Sequence, residues 1–205
     1  MDKLEEMVYY PTRVYAIMKP EFLEAVGAVS QKYLDMFQNE GQRTVMTGSY
    51  SHEADVAYFS QYVSQTAWNI LFSQGYAMDQ LVTFFTEMWT QRHLHMSHMD
   101  THTHPRGAQI SAFYFLKVPE KAGSMILHDP RPGKTMINLF AADTSQISDA
   151  SDPIVLTPRQ GMLIFTNAWL PHSFSTNEDT EPMEFVHMNL GVMPAPVKEP
   201  EVEII

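Results

Sequence analysis

The chain predicts a mainly β fold, an antiparallel sandwich or barrel with two helices packed on its outside. Short runs rich in β-branched and aromatic residues crowd the sequence from Leu81 onward: "LVTFFTEMW", "AQISAFYFL", "SMILH", "KTMINLF", "DPIVLT", "GMLIFT", "HSFST" and "MEFVHMNLGV". Turn clusters such as "DPRPGK" and "TPRQG" separate them, the spacing expected of many short strands closed on one another. Ahead of them, two stretches carry apolar residues at helical spacing. With 205 residues, 44% of them hydrophobic, the chain can bury a core. One domain per ~100–200 residues makes 1–205 a single domain. Its parts are a strand and helices over 1–78, a barrel core over 79–193 and a tail over 194–205.

In chain order, "PTRVYAIMKP" reads as a short strand closed by Pro20. "EFLEAVGAVSQKYLDMF" then sets Phe22, Val26, Val29, Tyr33, Leu34 and Phe37 on one helical face, with Gly41 as a stop signal. A second helix follows in "SHEADVAYFSQYVSQTAWNILFSQG", with Ser51 as N-cap candidate, a face of Val56, Phe59, Val63, Trp68 and Leu71, and Gly75 as its stop. The Pro- and Glu-rich end "APVKEPEVEII" reads as a mobile extension or contact arm.

Composition excludes several function classes. The chain has no cysteine, so disulfides, thiolate nucleophiles and iron–sulfur clusters are out, and any metal must be held by histidine and carboxylate. A net charge of -11 without a basic run argues against nucleic acid, whose phosphates call for clustered Lys and Arg. No apolar stretch approaches the ~20 residues of a spanning helix, and "MDKLEEM" lacks the form of a signal peptide. The expectation is a cytoplasmic protein without membrane partners. Exposed barrel strands make a homodimer plausible.

Five of the nine histidines, His93, His95, His98, His102 and His104, fall in "QRHLHMSHMDTHTHPRGAQ" together with Asp100. A non-haem iron site needs three nitrogen or oxygen ligands on one face, with positions left open for oxygen and a substrate. Two ligands at i, i+2 on an extended segment meet that need, and His98, Asp100, His102 and His104 share this parity. A third ligand from a distant strand is available in His172, after the apolar run of "PRQGMLIFTNAWLPHSFSTN". A close pair early and a lone histidine late is the pattern of a double-stranded β-helix, the jelly-roll barrel.

The stretches "EMW", "HTHPRGAQISAFYFLKVPEKAGSMILHDPR", "GMLIFTNAWLPHSF" and "FVHMN" resemble a family of 2-oxoglutarate and iron(II) dependent oxygenases, close in layout to prolyl hydroxylases and to versions carried by marine phages. The likeness extends over most of the chain. It implies iron(II) held by His102, His104 and His172, with 2-oxoglutarate as cosubstrate and hydroxylation of a C–H bond as the reaction. Two departures stand out. His104 occupies a position where such enzymes carry Asp or Glu, which replaces a negative charge by a neutral nitrogen donor. The literal His-x-Asp pair, His98 and Asp100, lies four residues earlier, but "HTHPRGAQISAFYFL" keeps the family's spacing to the next strand. The family also places an Arg about one strand after the last histidine to hold the far carboxylate of 2-oxoglutarate. "SFSTNEDTEPMEFVHMNL" contains neither Arg nor Lys. Arg131, Lys134 or Lys117 would have to take that carboxylate, with Tyr114 and Asn189 lining the pocket.

Plainer readings apply to the remaining candidates. His93, His95 and His98 fit a polar strand end, since three ligands suffice. His187, alternating with apolar neighbours, fits a packed histidine on a core strand. Arg131 in "DPRPG" also fits a turn in which it pairs with Asp129. Trp89 and Trp169 fit core or rim aromatics. Two other functions fit the pattern. One is a cupin-like three-histidine dioxygenase without 2-oxoglutarate, because His102 and His104 followed by Gln109 resemble the cupin order of two histidines and a Glu. The other is a non-catalytic, metal-containing binding module.

Overall fold

The computed structural model describes residues 4–37, 41–104 and 107–196. Among these residues, ten strands form two antiparallel sheets: β1 (Val14–Met18), β2 (Thr44–Met46), β3 (Leu81–His93), β4 (Met99–His102), β5 (Ile110–Lys117), β6 (Met125–Leu127), β7 (Ile154–Leu156), β8 (Met162–Asn167), β9 (His172–Phe174) and β10 (Met183–Pro194). One sheet has the order β1-β8-β5-β10-β3-β2, the other β4-β9-β6-β7. From β3 to β10 the chain passes back and forth between them, with β3, β5, β8 and β10 in the larger sheet and β4, the hairpin β6-β7, and β9 in the smaller. This is the double-stranded β-helix.

Side-chain alternation divides the interior into two cores. On β5, Ile110, Ala112, Tyr114 and Leu116 join the outer core, with Leu163 and Phe165 of β8 and Val186, Met188 and Leu190 of β10. Phe113, Phe115, Ile164, Met183 and Phe185 point the other way, into the barrel, against Met125, Leu127 and Phe174 of the smaller sheet. Because both faces of β5 are covered, "ISAFYFL" is apolar except at Ser111 rather than alternating.

Helices α1 (Leu23–Asp35) and α2 (Ala57–Ser73) cover the outer face of the larger sheet. On α1 the buried residues Val26, Val29, Ser30 and Leu34 follow the spacing of one helical stripe. On α2 the stripe is Phe59, Ser60, Val63, Ala67, Ile70 and Leu71. The two buried serines serve the interface: Ser30 Oγ lies 2.6 Å from Thr90 Oγ1, which also meets Tyr50 Oη at 2.7 Å. A buried hydroxyl trio of this kind satisfies groups that would otherwise be costly to desolvate.

β1 ends before Pro20, as expected, and Pro20 opens a 3-10 turn, Pro20–Phe22, that leads into α1, because its fixed φ suits the first helical position. The structure corrects two expectations about elements. Ser51 does not cap α2, which instead grows out of a second 3-10 turn, Ala54–Val56, with no side-chain cap. "KTMINLF" forms no strand: Pro132–Met136 is a 3-10 turn, and Ile137, Leu139 and Phe140 stand exposed beyond it. Pro132 and Gly133 start the turn, and no neighbouring strand offers these residues a ladder. The expected tail lies largely outside the described residues, which end at 196.

At Gly123, next to β6, a Cβ would run into the carbonyl oxygen of Ser175. The backbones close up there through Ser175 N donating to Ser124 O at 2.9 Å and Ser124 N donating to Ser175 Oγ at 2.8 Å. Gly123→Ala is expected to lower folding stability by about 1–3 kcal/mol, as overpacking against backbone does. Urea denaturation monitored by circular dichroism would check it, and an unchanged midpoint would contradict it.

Candidate metal centre

The smaller sheet builds the site. β4 pairs with β9 so that His102 stands opposite His172, and His172 in turn faces Leu127 of β6. The register of β4 shifts between Met99 and His102, so both residues pair with inward-facing partners, Phe174 and His172. A bulge of this kind breaks simple alternation. It explains why Met99 packs in the barrel core while Asp100 and His98 turn outward. Just beyond β4, His104 is fixed by its backbone N–H, which donates to Ala168 O at 2.9 Å.

Ligand nitrogens of His102, His104 and His172 all lie within 4.8 Å of one another. His104 Nε2 is 3.3 Å from His172 Nε2. Two nitrogens bound to one ion at ~2.1 Å and near a right angle would stand roughly 3 Å apart, so the spacing suits a shared metal. Backbone carbonyls orient two of the rings: His102 Nδ1 donates to Asp100 O at 2.8 Å, and His172 Nδ1 donates to Leu170 O at 3.0 Å. Each Nε2 is thereby left to face the cluster, as a ligand requires. His104 Nδ1 lies 3.2 Å from Asn189 Nδ2, so binding a metal through Nε2 requires the Asn189 amide to turn its oxygen toward Nδ1–H. Asn189 also meets Ser111 Oγ at 2.9 Å and Glu87 Oε2 at 3.3 Å, so β3, β5 and β10 all brace this ring.

Burial keeps His104 and His172 neutral, the form that binds metal. Desolvation, with His172 and His102 nearby, holds His104 down to about 3. His172 is held to about 4, chiefly by desolvation. Deeper in the barrel, burial likewise lowers His93 to about 4 and takes His187 well below its ordinary value.

The other candidates fall elsewhere. His98 and Asp100 face each other at 3.7 Å with side chains 61% and 96% exposed, away from the cluster. His95 Nδ1 lies 3.1 Å from Asp179 O. His93 Nε2 receives Gln91 Nε2 at 2.8 Å, between the rings of Phe174 and Phe185. Tyr114 does not line the barrel. It points outward against Phe59, and its hydroxyl donates to Lys19 O at 2.7 Å, because even-numbered residues of β5 face the helices. Arg131 and Lys134 do not reach the cluster either. Asp129 receives both, Arg131 through two nitrogens at 2.9 and 2.7 Å and Lys134 at 3.1 Å, and together they hold Asp129 far below the usual carboxylate range. Lys117 pairs with Glu181 at 2.7 Å. Asn189 alone of the expected pocket residues outside the triad takes a place beside it.

Residues 87–183 match a family model described as "Putative 2OG-Fe(II) oxygenase". That segment, just under half of the chain, is similar to the 2OG-Fe(II) oxygenase family. It runs from β3 into β10 and contains all three histidines of the cluster. Similar solved structures include a prolyl-4-hydroxylase from Pseudomonas putida, 12% identical, TM-score 0.57, covering 90% of this chain and 94% of that one. A viral collagen prolyl hydroxylase from Paramecium Bursaria Chlorella virus-1 is 11% identical, TM-score 0.56, covering 87% and 94%. An oxidoreductase of the 2OG-Fe(II) oxygenase family from Burkholderia pseudomallei is 12% identical, TM-score 0.56, covering 82% and 77%. At these identities the likeness is one of fold. No curated protein matches the sequence. Among the described residues, no helix is long and apolar enough to cross a membrane.

On the inward row of β3, the sequence reading has Trp89 as a core or rim aromatic and His93 as part of a polar strand end, and it misses Glu87 and Gln91. Glu87, Trp89, Gln91 and His93 alternate along that strand and pair across to Asn189, His187, Phe185 and Met183 of β10. The signal was present in "EMWTQRH", whose alternate residues are polar or aromatic where an apolar barrel face would be expected. His187 packs 4.5 Å from the His104 ring, 4.5 Å from Phe113 and 4.3 Å from Trp89, measured between ring centres.

Two outcomes follow from this geometry. His172→Ala should abolish binding of iron(II) or cobalt(II), Asn189→Ala should weaken it about 10–100-fold by freeing His104, and Asp100→Asn should leave it unchanged. Metal titration under nitrogen would check all three; loss of binding in Asp100→Asn would contradict the assignment. The second concerns acid stability. The folded His93, His104 and His172 bind protons only near 3 to 4, whereas unfolded histidine binds them from about 6.5. The unfolded state therefore takes up more protons between these values, and stability falls as pH is lowered through that window. Thermal unfolding of metal-free protein should show a midpoint dropping steadily from pH 6.5 to pH 4, and a flat profile would contradict buried, neutral imidazoles.

Proposed function

We propose that this protein is an iron(II)-dependent oxygenase that couples oxidative decarboxylation of 2-oxoglutarate to hydroxylation of a substrate C–H bond. The observation that carries this reading is the convergence of His102, His104 and His172 at one end of a double-stranded β-helix whose sequence matches the oxygenase family. These three residues would hold the iron. Iron(II) with 2-oxoglutarate supplies the activation of dioxygen, chemistry that no side chain of this chain could provide.

The chain's own groups bind, orient and exclude water. Carbonyl oxygens of Asp100 and Leu170 fix the ring planes of His102 and His172, and Asn189 fixes His104. Below the cluster, Phe113, Phe115, Phe174 and Phe185 fill the barrel and keep water from its depth. A dry, shaped pocket of this kind limits side reactions of an oxidising centre. Because all three ligands are neutral, an iron(II) ion held here keeps more positive charge than one bound by two histidines and a carboxylate. Glu87, linked to His104 through Asn189, supplies a negative charge just outside the ligands.

The three-histidine set is also what favours a second reading, a dioxygenase that does not use 2-oxoglutarate. Oxygen uptake by the iron-loaded protein separates the two. The first reading expects uptake that depends on 2-oxoglutarate and releases succinate in proportion, with both lost in His172→Ala. Uptake indifferent to 2-oxoglutarate would favour the second reading.

A further inference from the structure

Among the described residues, four buried side-chain atoms have no hydrogen-bond partner: Trp89 Nε1, His93 Nδ1, Thr166 Oγ1 and His187 Nε2. All four side chains lie on the barrel-facing side of the larger sheet. Trp89 and His93 alternate with the outward Met88 and Thr90, His187 lies between the outward Val186 and Met188, and Thr166 follows the outward Phe165. An indole N–H can only donate, and a hydroxyl or imidazole readily does. Buried donors without an acceptor are rare in native proteins and call for an explanation such as an absent ligand.

The positions of these atoms narrow what that ligand is. His187 is 98% buried, and its ring is 4.5 Å from His104 and 6.3 Å from His172. Trp89 continues the row at 4.3 Å from His187. Unpartnered donors this close to a metal cluster call for an anion with several lone pairs, and a carboxylate offers about four acceptor sites. No cation on the described barrel strands is available for it. Arg92 on β3 is taken by Glu184 at 2.8 Å and Lys117 on β5 by Glu181.

We propose that Trp89 Nε1 and His187 Nε2 donate hydrogen bonds to the carboxylate of 2-oxoglutarate that stays off the metal, with neutral donors in place of a cation. This rests on the oxygenase reading above. The aromatic surroundings explain the choice. A guanidinium beside Phe113 and Phe185 would be expensive to desolvate while the site is empty, whereas an indole N–H carries no charge to strip of water. Thr166 Oγ1, on β8 of the same sheet face, is a further buried hydroxyl without a partner.

The test compares 2-oxoglutarate with 2-oxopentanoate, which keeps the metal-binding end and replaces the far carboxylate by a methyl group. Each is titrated under nitrogen into iron(II)-loaded protein while the visible charge-transfer band is followed, and near-ultraviolet circular dichroism confirms the fold of each variant. Wild type should prefer 2-oxoglutarate. Trp89→Phe and, independently, His187→Phe should reduce that preference about ten- to hundredfold, the scale of a hydrogen bond to a charged group, and leave the affinity for 2-oxopentanoate unchanged. A preference retained in both folded variants, or absent from wild type, would overturn the proposal and leave the oxygenase reading intact. No band with either acid, despite confirmed iron binding, would overturn the oxygenase reading and the proposal together.

Discussion

The antiparallel pairing of β4 with β9 sets His102 across from His172, and most of the functional architecture depends on that one register. The strands are short, four and three residues, and cannot hold their register through ladder bonds alone. Met99 and Phe174, the other matched pair, lock it by burying their side chains in the barrel core. A one-residue slip would turn His172 outward and bring Ser173 in. The close backbone contact between Ser124 and Ser175 braces the far end of β9 in the same way.

Around that pair, the larger sheet acts as a rigid platform. Its outer face is sealed by α1 and α2, so the strands behind the site are buried on both sides. Its inner face grades from polar at the cluster end, where Glu87, Ser111, Thr166 and Asn189 lie side by side across four strands, to aromatic farther in. The polar end orients ligands, and the aromatic end excludes water. Stability and function draw on the same strands in opposite senses. Burying four imidazoles and several unpartnered donors costs free energy, and the two apolar cores offset it.

Much of this was legible in the sequence. The alternating, turn-punctuated runs gave the barrel, the helical stripes gave α1 and α2, and the spacing of His102, His104 and His172 singled out three residues that the fold brings together. What escaped was set by tertiary geometry. The bulge before His102 breaks the parity that made His98 and Asp100 rivals of His102 and His104. Tyr114 faces the helices because β5 is covered on both sides, so its apolar run gave no clue to which residues point inward. "KTMINLF" has strand-like composition, but nothing pairs with it. The pairing of Arg131 with Asp129 was one of two readings that "DPRPG" allowed, and the fold adds Lys134 to the same carboxylate. The polar inner row of β3 was hidden by its neighbours, since "EMWTQRH" mixes the two faces of one strand.

The central claim is that the metal is bound by three imidazoles and no protein carboxylate. X-ray absorption on the iron(II)-loaded protein counts coordinated imidazole rings directly, from the multiple scattering they produce. The account predicts three rings in the wild type and two in His104→Asp, with a carboxylate taking the vacated position. Two rings and a carboxylate already present in the wild type would contradict it, and would return His98 and Asp100 to consideration as ligands.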